Sequence, residues 1–372
     1  MIILSLIFSL CYCIFLIWLT EGLRKSSFQT IPHLDELPTV SIIISARNEE
    51  KNIPILLTSL SQLTYPENKL EIIIVNDRSS DKTAKLFRIA ETEFESLSKI
   101  DIKETPLGWA PKKWALQKAI EKSKYEVILQ TDADCTFNPD WVQTMLSQFI
   151  NPSVGFIAGP APTRFNNEFY DQFALMDSLS IDAISASTLK QGIALSCVGR
   201  NIAFRKSAFF DIGGYDGIQD QISGDDDLLM QKMASSKKWL IDYVCHENAV
   251  VNSPAPKNIE DFTFQRLRFA SKGLNYYKLD TSTEIRYILP FLYIVNIFIV
   301  ISLTTYLSNQ SFVWLVPFLI KTTADSLLTL TFFNQLKAKW SILAFLILDL
   351  IHPFYVVIFA AIAPFHKIKW KN

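Results

Sequence analysis

The stretch Leu129-Gln130-Thr131-Asp132-Ala133-Asp134-Cys135 decides how the rest of the chain is read. It follows an apolar run, Tyr125 to Leu129, with the length and composition of a short buried strand. It precedes Asn138-Pro139-Asp140, which reads as an N-cap with proline at the first helical position. Two acids one residue apart thus stand where a strand ends and the chain turns, the place where ligands bind in open α/β sheets. Side chains at i and i+2 of an extended segment point the same way, so both carboxylates can face one cation. Hard cations such as Mg²⁺ or Mn²⁺ take oxygen ligands and complete their shells with water and phosphate oxygens. The pattern points to a metal–diphosphate site. The competing use of the acids is to solvate a loop and favour the start of the next helix.

Of the 372 residues, 49% are hydrophobic and 27 are Phe, and the excess lies at the two ends. Met1 to Thr20 is apolar, with no basic n-region and no small-residue cleavage site, and is expected to be a retained transmembrane anchor. A linker is expected over 21–39, where Pro32 and Pro38 sit. Three more apolar spans, Tyr287–Leu307, Phe312–Phe333 and Ser341–Phe365, predict a C-terminal transmembrane region over 287–365 with a basic tail, 366–372. Between the ends, 40–275 suffices for one α/β domain, followed by an interfacial segment, 276–286. The net charge of −1 gives no reason to expect nucleic acid. Arg24 and Lys25 beside the first span, and Lys337 and Lys339 between the third and fourth, predict a multi-pass cell-membrane protein whose large domain faces the cytoplasm. Five cysteines without a C-x-x-C pattern agree with a reducing side. One conflict stands: if every span crosses, the basic tail lands outside. Either the tail is an exception, or the last segment, interrupted by Asp349 and His352-Pro353, does not cross once and simply.

Val40 to Ser45 reads as a buried strand, and Ala46-Arg47-Asn48-Glu49-Glu50 turns it into a helix carrying Ile53, Leu56, Leu57 and Leu60. Leu70 to Val75 is the second strand, ending in Asn76-Asp77-Arg78-Ser79-Ser80-Asp81 before a helix through about Glu95. Two strand-turn-helix units and the Tyr125 strand predict a parallel, doubly wound sheet whose polar turns gather along one edge. Asn48, Asp77, Asp132 and Asp134 would then line one crevice. No glycine-rich phosphate loop follows these strands, so dinucleotide and ATPase readings are weak. In Pro106-Leu107-Gly108-Trp109-Ala110-Pro111-Lys112-Lys113-Trp114, two lysines open a helix where diphosphate charge is well received; otherwise they are solvated turn residues.

The order of these motifs, over about Val40 to Asn275, resembles glycosyltransferase family 2, and within it membrane-anchored, lipid-modifying members of the ceramide glucosyltransferase and hopanoid-associated types. The resemblance implies a GT-A fold, a nucleotide-diphospho-sugar donor, with UDP-sugar the first expectation, a divalent cation (Mg²⁺ or Mn²⁺), and transfer with inversion. It implies that Asp77 meets the nucleotide base, Asp132 the ribose or sugar side, and Asp134 the metal, with Asp132 beside it. Ala46, Asn48, Glu49 and Lys113 join the donor-binding set. Asn76 stands where a first acid is frequent, and Arg78 where glycine is frequent.

Downstream, Gly155 to Pro160 reads as a further strand and turn, and Glu168 to Lys190 as a helix with an apolar stripe, either core-facing or bordering a lipid. Gly199-Arg200-Asn201 resembles the family's acceptor-side strand, implying that Gly199 and Asn201 shape the sugar pocket. Ser223-Gly224-Asp225-Asp226-Asp227-Leu228 holds three adjacent acids ahead of a helix, where they can favour its N-terminus or supply a base to an acceptor hydroxyl. Aligned on Leu228, the family's Glu-Asp-x-Asp-Leu pattern makes Asp225 the base and Asp227 the second acid; a shift by one makes Asp226 the base. Gln265, Arg268 and Phe269 share a helical face and resemble the family's Q-x-x-R-W motif with Phe for Trp. That implies Gln265 and Arg268 on the diphosphate and Phe269 as an acceptor wall; the other reading is an interfacial basic helix. Within the spans, Lys321 and Asp325 stand at i and i+4, and Asp349 and His352 add buried polar groups, for a lipid-phosphate path or helix association. The whole predicts an enzyme transferring sugar to a membrane lipid or lipid-linked glycan at the bilayer. Phosphotransferase and non-enzymatic nucleotide-sugar-binding readings stand as alternatives.

Overall fold

A computed structural model describes residues 1–25, 37–164 and 169–365. Most of the expected linker, the first residue of the stripe-bearing helix, Glu168, and the basic tail lie outside the described residues.

Helix α1 (Ile2–Lys25) precedes strand β1 (Val40–Ala46), helix α2 (Ile53–Ser61), strand β2 (Leu70–Asp77), helix α3 (Thr83–Glu93) and strand β3 (Leu97–Ile102). Helix α4 (Pro111–Lys122) leads to strand β4 (Val127–Asp132), the two-residue β5 (Thr136–Phe137), helix α5 (Trp141–Leu146) and strand β6 (Val154–Ala158). Then follow helix α6 (Phe169–Lys190), strand β7 (Ile202–Arg205), helix α7 (Lys206–Asp211), helix α8 (Asp227–Ser236), strand β8 (Leu240–Tyr243) and β9 (Val251–Asn252). Helices α9 (Ile259–Ala270), α10 (Thr283–Asn309), α11 (Val316–Gln335) and α12 (Ile342–Ile362) close the chain.

Seven strands form one sheet in the order β3-β2-β1-β4-β7-β6-β8. The expected parallel sheet holds for β3, β2, β1 and β4, but β7 lies antiparallel between β4 and β6, so the sheet is mixed. Strand β3, Leu97-Ser98-Lys99-Ile100-Asp101-Ile102, was not expected; it is an edge strand with weak apolar alternation. Pro139 does not begin a helix either. Asn138 Oδ1 accepts from the Asp140 amide at 3.0 Å, making a side-chain turn that delays α5 to Trp141.

The alternation within β1 assigns its side chains to two cores. Ile42 and Ile44 pack under α2 and α3, whereas Ile43 joins a cluster that continues through α6 into Leu16, Leu19, Ile299 and Leu328 of the apolar helices. The large domain and the helices at the ends thus share one hydrophobic core. Helices α1, α10, the 312–335 segment and the 342–365 segment are long and apolar enough to cross a membrane. On helix α12 the Tyr355 hydroxyl donates to Asp177 on α6 at 3.0 Å, and Ala363 to Phe365 touch α9.

Asp182 on α6 is a buried carboxylate that accepts from the Ala161 amide at 2.8 Å. Burial pushes its pKa up to about 7, against the pull of that amide and of Arg200. A carboxyl raised in the folded state contributes stability at low pH that is lost as pH climbs from its unfolded value to its folded one. Asp182→Asn is accordingly expected to melt above the parent at pH 8, with the difference vanishing toward pH 4, in thermal unfolding of the solubilised protein.

Candidate active site

The turns after β1, β2 and β4 meet at one edge of the sheet. Asn48 ties the first two together: its amide donates to Ser79 Oγ at 3.1 Å, and its Oδ1 accepts from the Ser80 amide at 2.8 Å. Asn48 and Arg78 both have positive φ, +56° and +55°. Asn tolerates that conformation, while Arg78 takes a strained one, which gives a physical reason for the glycine usual at its position. Asn48 fixes the edge rather than lining the crevice, but Ala46, Arg47, Glu49 and Asp77 do line it. Asp77 accepts from Arg78 Nε at 2.8 Å.

The crevice encloses about 570 Å³ and gathers Asp132 and Asp134 from one wall and Asp225, Asp226 and Asp227 from the other. Lys112, in the first turn of α4, spans the two walls. Its ammonium lies 2.9 Å from Asp132 Oδ1 and 3.0 Å from Asp225 Oδ2. Burial disfavours its charge, yet the two carboxylates outweigh that and hold its pKa well above the ordinary lysine value. Gln130, one strand residue from Thr131, donates through Nε2 to the same Asp225 oxygen at 3.2 Å and to the Gly199 carbonyl at 2.9 Å.

The three acids are held differently. Asp226 is the N-cap of α8; its oxygens accept from the Asp227 amide and from the Gly199 amide, both at 2.7 Å. Burial, followed by the adjacent Asp227 charge, raises the Asp226 pKa. Asp227 is buried too, but Lys272, 2.8 Å away, and the Tyr276 hydroxyl bring its pKa below the usual carboxylate range. Gly224 has φ +85°, and a Cβ there would lie 2.5 Å from Leu228 Cγ, so the glutamate frequent at this position in the family pattern has no room.

Several expected site residues sit elsewhere. Lys113 does not reach the crevice; it is fully buried and donates to the Gln221 and Ser223 carbonyls at 2.6 and 2.9 Å, bracing the loop that leads to the acids. Burial lowers its pKa to about 8. Asn201 does not shape a sugar pocket; its Nδ2 donates to the Pro160 and Ala249 carbonyls and its Oδ1 accepts from Trp141 Nε1, all beneath the site. Gln265 faces an adjoining hollow near Ala161 and Thr163 rather than the crevice itself. Arg268 and Phe269 line the crevice as expected, with Arg266 beside them. Arg266, Arg268 and Lys272 place their cations 5.3, 5.4 and 5.8 Å from the Phe269 ring centroid.

Arg47, Arg200, Arg266, Lys272 and Tyr276 are crevice residues that the motifs did not single out, and of the two lysines expected to open a helix at the diphosphate it is Lys112 that lines the crevice. The buried Nε groups of Arg47, Arg200 and Arg266 have no hydrogen-bond partner, an arrangement suited to an anionic ligand with several acceptor oxygens. Among the described residues no cluster of three or more His, Cys, Asp or Glu side chains forms a self-sufficient metal site. Two carboxylates, Asp132 and Asp134, fit a hard cation that draws the rest of its shell from diphosphate and water.

Residues 41–213 match the family model described as "Glycosyl transferase family 2". This chain carries a glycosyltransferase family 2 domain. Similar curated proteins are the probable glycosyltransferase YdaM of Bacillus subtilis, 30% identical over 190 residues, covering 50% of this chain and 44% of YdaM, and the poly-beta-1,6-N-acetyl-D-glucosamine synthase of Staphylococcus epidermidis, 29% identical over 240 residues, covering 63% and 54%. The chain spans about half the length of these curated relatives. Among solved structures, the mannosyltransferase PcManGT of Pyrobaculum calidifontis, in complex with GDP-Man and Mn²⁺, superposes with a TM-score of 0.59 over 97% of this chain and 95% of that one at 19% identity. That likeness supports the GT-A fold of the glycosyltransferase domain.

The two adjacent lysines should separate in experiment. Lys113→Met is expected to lower the melting temperature of the solubilised protein by several degrees, because a buried donor to two carbonyls is lost. Lys112→Met removes the ammonium between Asp132 and Asp225 and is expected to weaken nucleotide-sugar binding in calorimetry, an effect Lys113→Met should not share.

Proposed function

We propose that the chain is an inverting glycosyltransferase that moves a sugar from a nucleotide-diphospho-sugar to a hydroxyl of a membrane lipid or lipid-linked glycan. The observation that carries this reading is continuity: the carboxylate crevice shares Ile181, Ser196, Phe269, Tyr276, Leu289 and His352 with an apolar cavity of about 660 Å³ lying among α1, α6, α9, α10, α11 and α12. A donor can enter from the polar side while an acceptor keeps its hydrocarbon among helices apolar enough for the bilayer. The named activities of YdaM and the poly-N-acetylglucosamine synthase, and the GDP-Man held by PcManGT, support a nucleotide-sugar donor.

In this reading Asp77 meets the base, Asp132 the ribose or sugar side, and Asp134 with Asp132 holds a divalent cation, Mg²⁺ or Mn²⁺. When bound, such a cation offsets charge growing on the departing diphosphate. Arg47, Lys112 and Arg268 offer that diphosphate further donors, so charge is stabilised as the sugar–phosphate bond breaks and its electron pair passes to the phosphate oxygen. Asp225 takes the proton from the acceptor hydroxyl as its oxygen bonds to the anomeric carbon. Asp225 is favoured over Asp226 because both Asp226 oxygens already accept from backbone amides. Lys337, in the loop expected to be cytoplasmic, pairs with Glu247 of the large domain at 2.6 Å, which favours a cytoplasmic catalytic face.

Full-length protein in detergent with lipid extract, offered UDP- and GDP-sugars, is expected to release nucleoside diphosphate only with lipid and with Mg²⁺ or Mn²⁺. Asp225→Asn should lower the rate by a factor on the order of 100 or more while donor binding persists. Asp134→Ala should abolish the metal-dependent release. Donor binding without turnover under every lipid condition would overturn the transferase reading.

A further inference from the structure

The crevice and the apolar cavity meet at a neck whose polar groups fall into two kinds. Among the described residues no Arg, Lys, Asp or Glu borders both spaces; the polar side chains that do are Ser196, Tyr276, His352 and Tyr355. Tyr276 and Tyr355 are committed, since their hydroxyls donate to Asp227 and Asp177. Ser196 and His352 are not. Neither is buried, each lines both spaces, and among the described residues no group bonds Ser196 Oγ or a ring nitrogen of His352. The His352 ring is nevertheless held, edge to face with Tyr355 at 4.9 Å between centroids, so its nitrogens are presented from a fixed wall. It also stands outside the network of intramembrane charges, in which Lys321, Tyr12 and Thr322 already supply a donor to every oxygen of Asp325 and Asp349.

A neutral imidazole presents one donor and one acceptor, and a serine hydroxyl presents both. A methylene chain drawn through the neck strips water from these groups and returns no hydrogen bond, which costs affinity; a hydroxyl at the same level returns one. A phosphate at that level is poorly served, because the Arg266 and Lys272 charges beside the neck are already matched by Asp177 and Asp227. We propose that Ser196 and His352 hold a second hydroxyl of the acceptor lipid, next to the one that takes the sugar. They thereby select a neutral lipid with a vicinal diol head over a simple long-chain alcohol or a lipid phosphate. This deepens the lipid-acceptor reading above and rests on it: the reacting hydroxyl meets Asp225 in the crevice, its neighbour stays in the neck, and the hydrocarbon occupies the cavity.

Native mass spectrometry of the full chain in detergent tests this, with a 1-alkanol, a 1,2-alkanediol and an alkyl phosphate of the same chain length competing at equal concentration. The wild type is expected to retain the diol about ten-fold better than the alkanol, the effect of a hydrogen bond returned to groups that a bare chain leaves dry, and to show no preference for the phosphate. His352→Phe keeps a ring against Tyr355 and removes both nitrogens. It should still retain the alkanol, which shows that the cavity has survived, and lose most of the preference for the diol. Ser196→Ala should lose part of that preference, and His352→Gln, which keeps a donor and an acceptor, should recover part of it. If His352→Phe retains nothing, Ser196→Ala decides. Equal retention of diol and alkanol by the wild type, a preference for the phosphate, retention of no probe, or an unchanged preference in His352→Phe or in Ser196→Ala would overturn the proposal. The lipid-acceptor reading fails separately, if the wild type retains none of the three while it turns a nucleotide-sugar over onto a water-soluble acceptor.

Discussion

Seven carboxylates line one crevice, and the site exists because cations and amides are interleaved with them. Lys112 is the pivotal case: a single ammonium within 3.0 Å of both Asp132 and Asp225 links the wall made by the end of β4 to the wall made by the loop before α8. Like charges brought this close in a partly desolvated space raise one another's cost of ionisation unless something opposite stands between them. Lys272 does the same for Asp227, and the Gly199 and Asp227 amides do it for Asp226. Each acid therefore has its own compensation, so the three consecutive aspartates of 225–227 can differ in role though they are identical in type.

The second constraint is that the domain and the membrane helices are not separable bodies. Ile43 of β1, Ala183 of α6, Leu19 of α1 and Leu328 of α11 belong to one cluster of buried side chains. Arg266 on α9 pairs with Asp177 on α6, and Tyr355 of α12 bonds the same carboxylate, so a single buried acid fastens an apolar helix to the edge of the crevice. Truncating a buried partner of this kind costs on the order of 3–5 kcal/mol, because it strands an uncompensated charge. The junction between crevice and apolar cavity is built with the rigidity of a protein interior.

The strands and their turns were legible because Val40–Ser45, Leu70–Val75 and Tyr125–Leu129 are apolar runs ended by polar turns, a pattern that buried parallel strands impose. The Asp132/Asp134 pair and the Asp225–Asp227 group were legible as acids gathered where a strand ends or a helix begins, although Asp226 also has the structural use open to such acids, capping α8. Lys112 and Lys113 were not distinguishable, since neighbouring lysines on a first helical turn differ only in the direction the helix presents, which packing decides. Asn201 and Gln265 belong to motifs whose order was right, but hydrogen-bond partners distant in sequence, Trp141, Pro160 and Ala249, claim Asn201 for the core. Strand β3 escaped because an edge strand with one exposed face lacks the continuous apolar run of its neighbours.

Phe269 shows how one substitution from the usual aromatic can be read physically. Its ring lines both the crevice and the apolar cavity, with Arg266, Arg268 and Lys272 gathered around it. An indole in this place would add an N–H donor to a region already supplied with guanidinium and ammonium donors, whereas a phenyl ring supplies an apolar wall and a negative face for the cations. The donor lost is thus the one chemical feature this corner has in excess. What the ring retains, a flat surface between charged groups and hydrocarbon, is what a passage from a polar crevice to an apolar cavity requires.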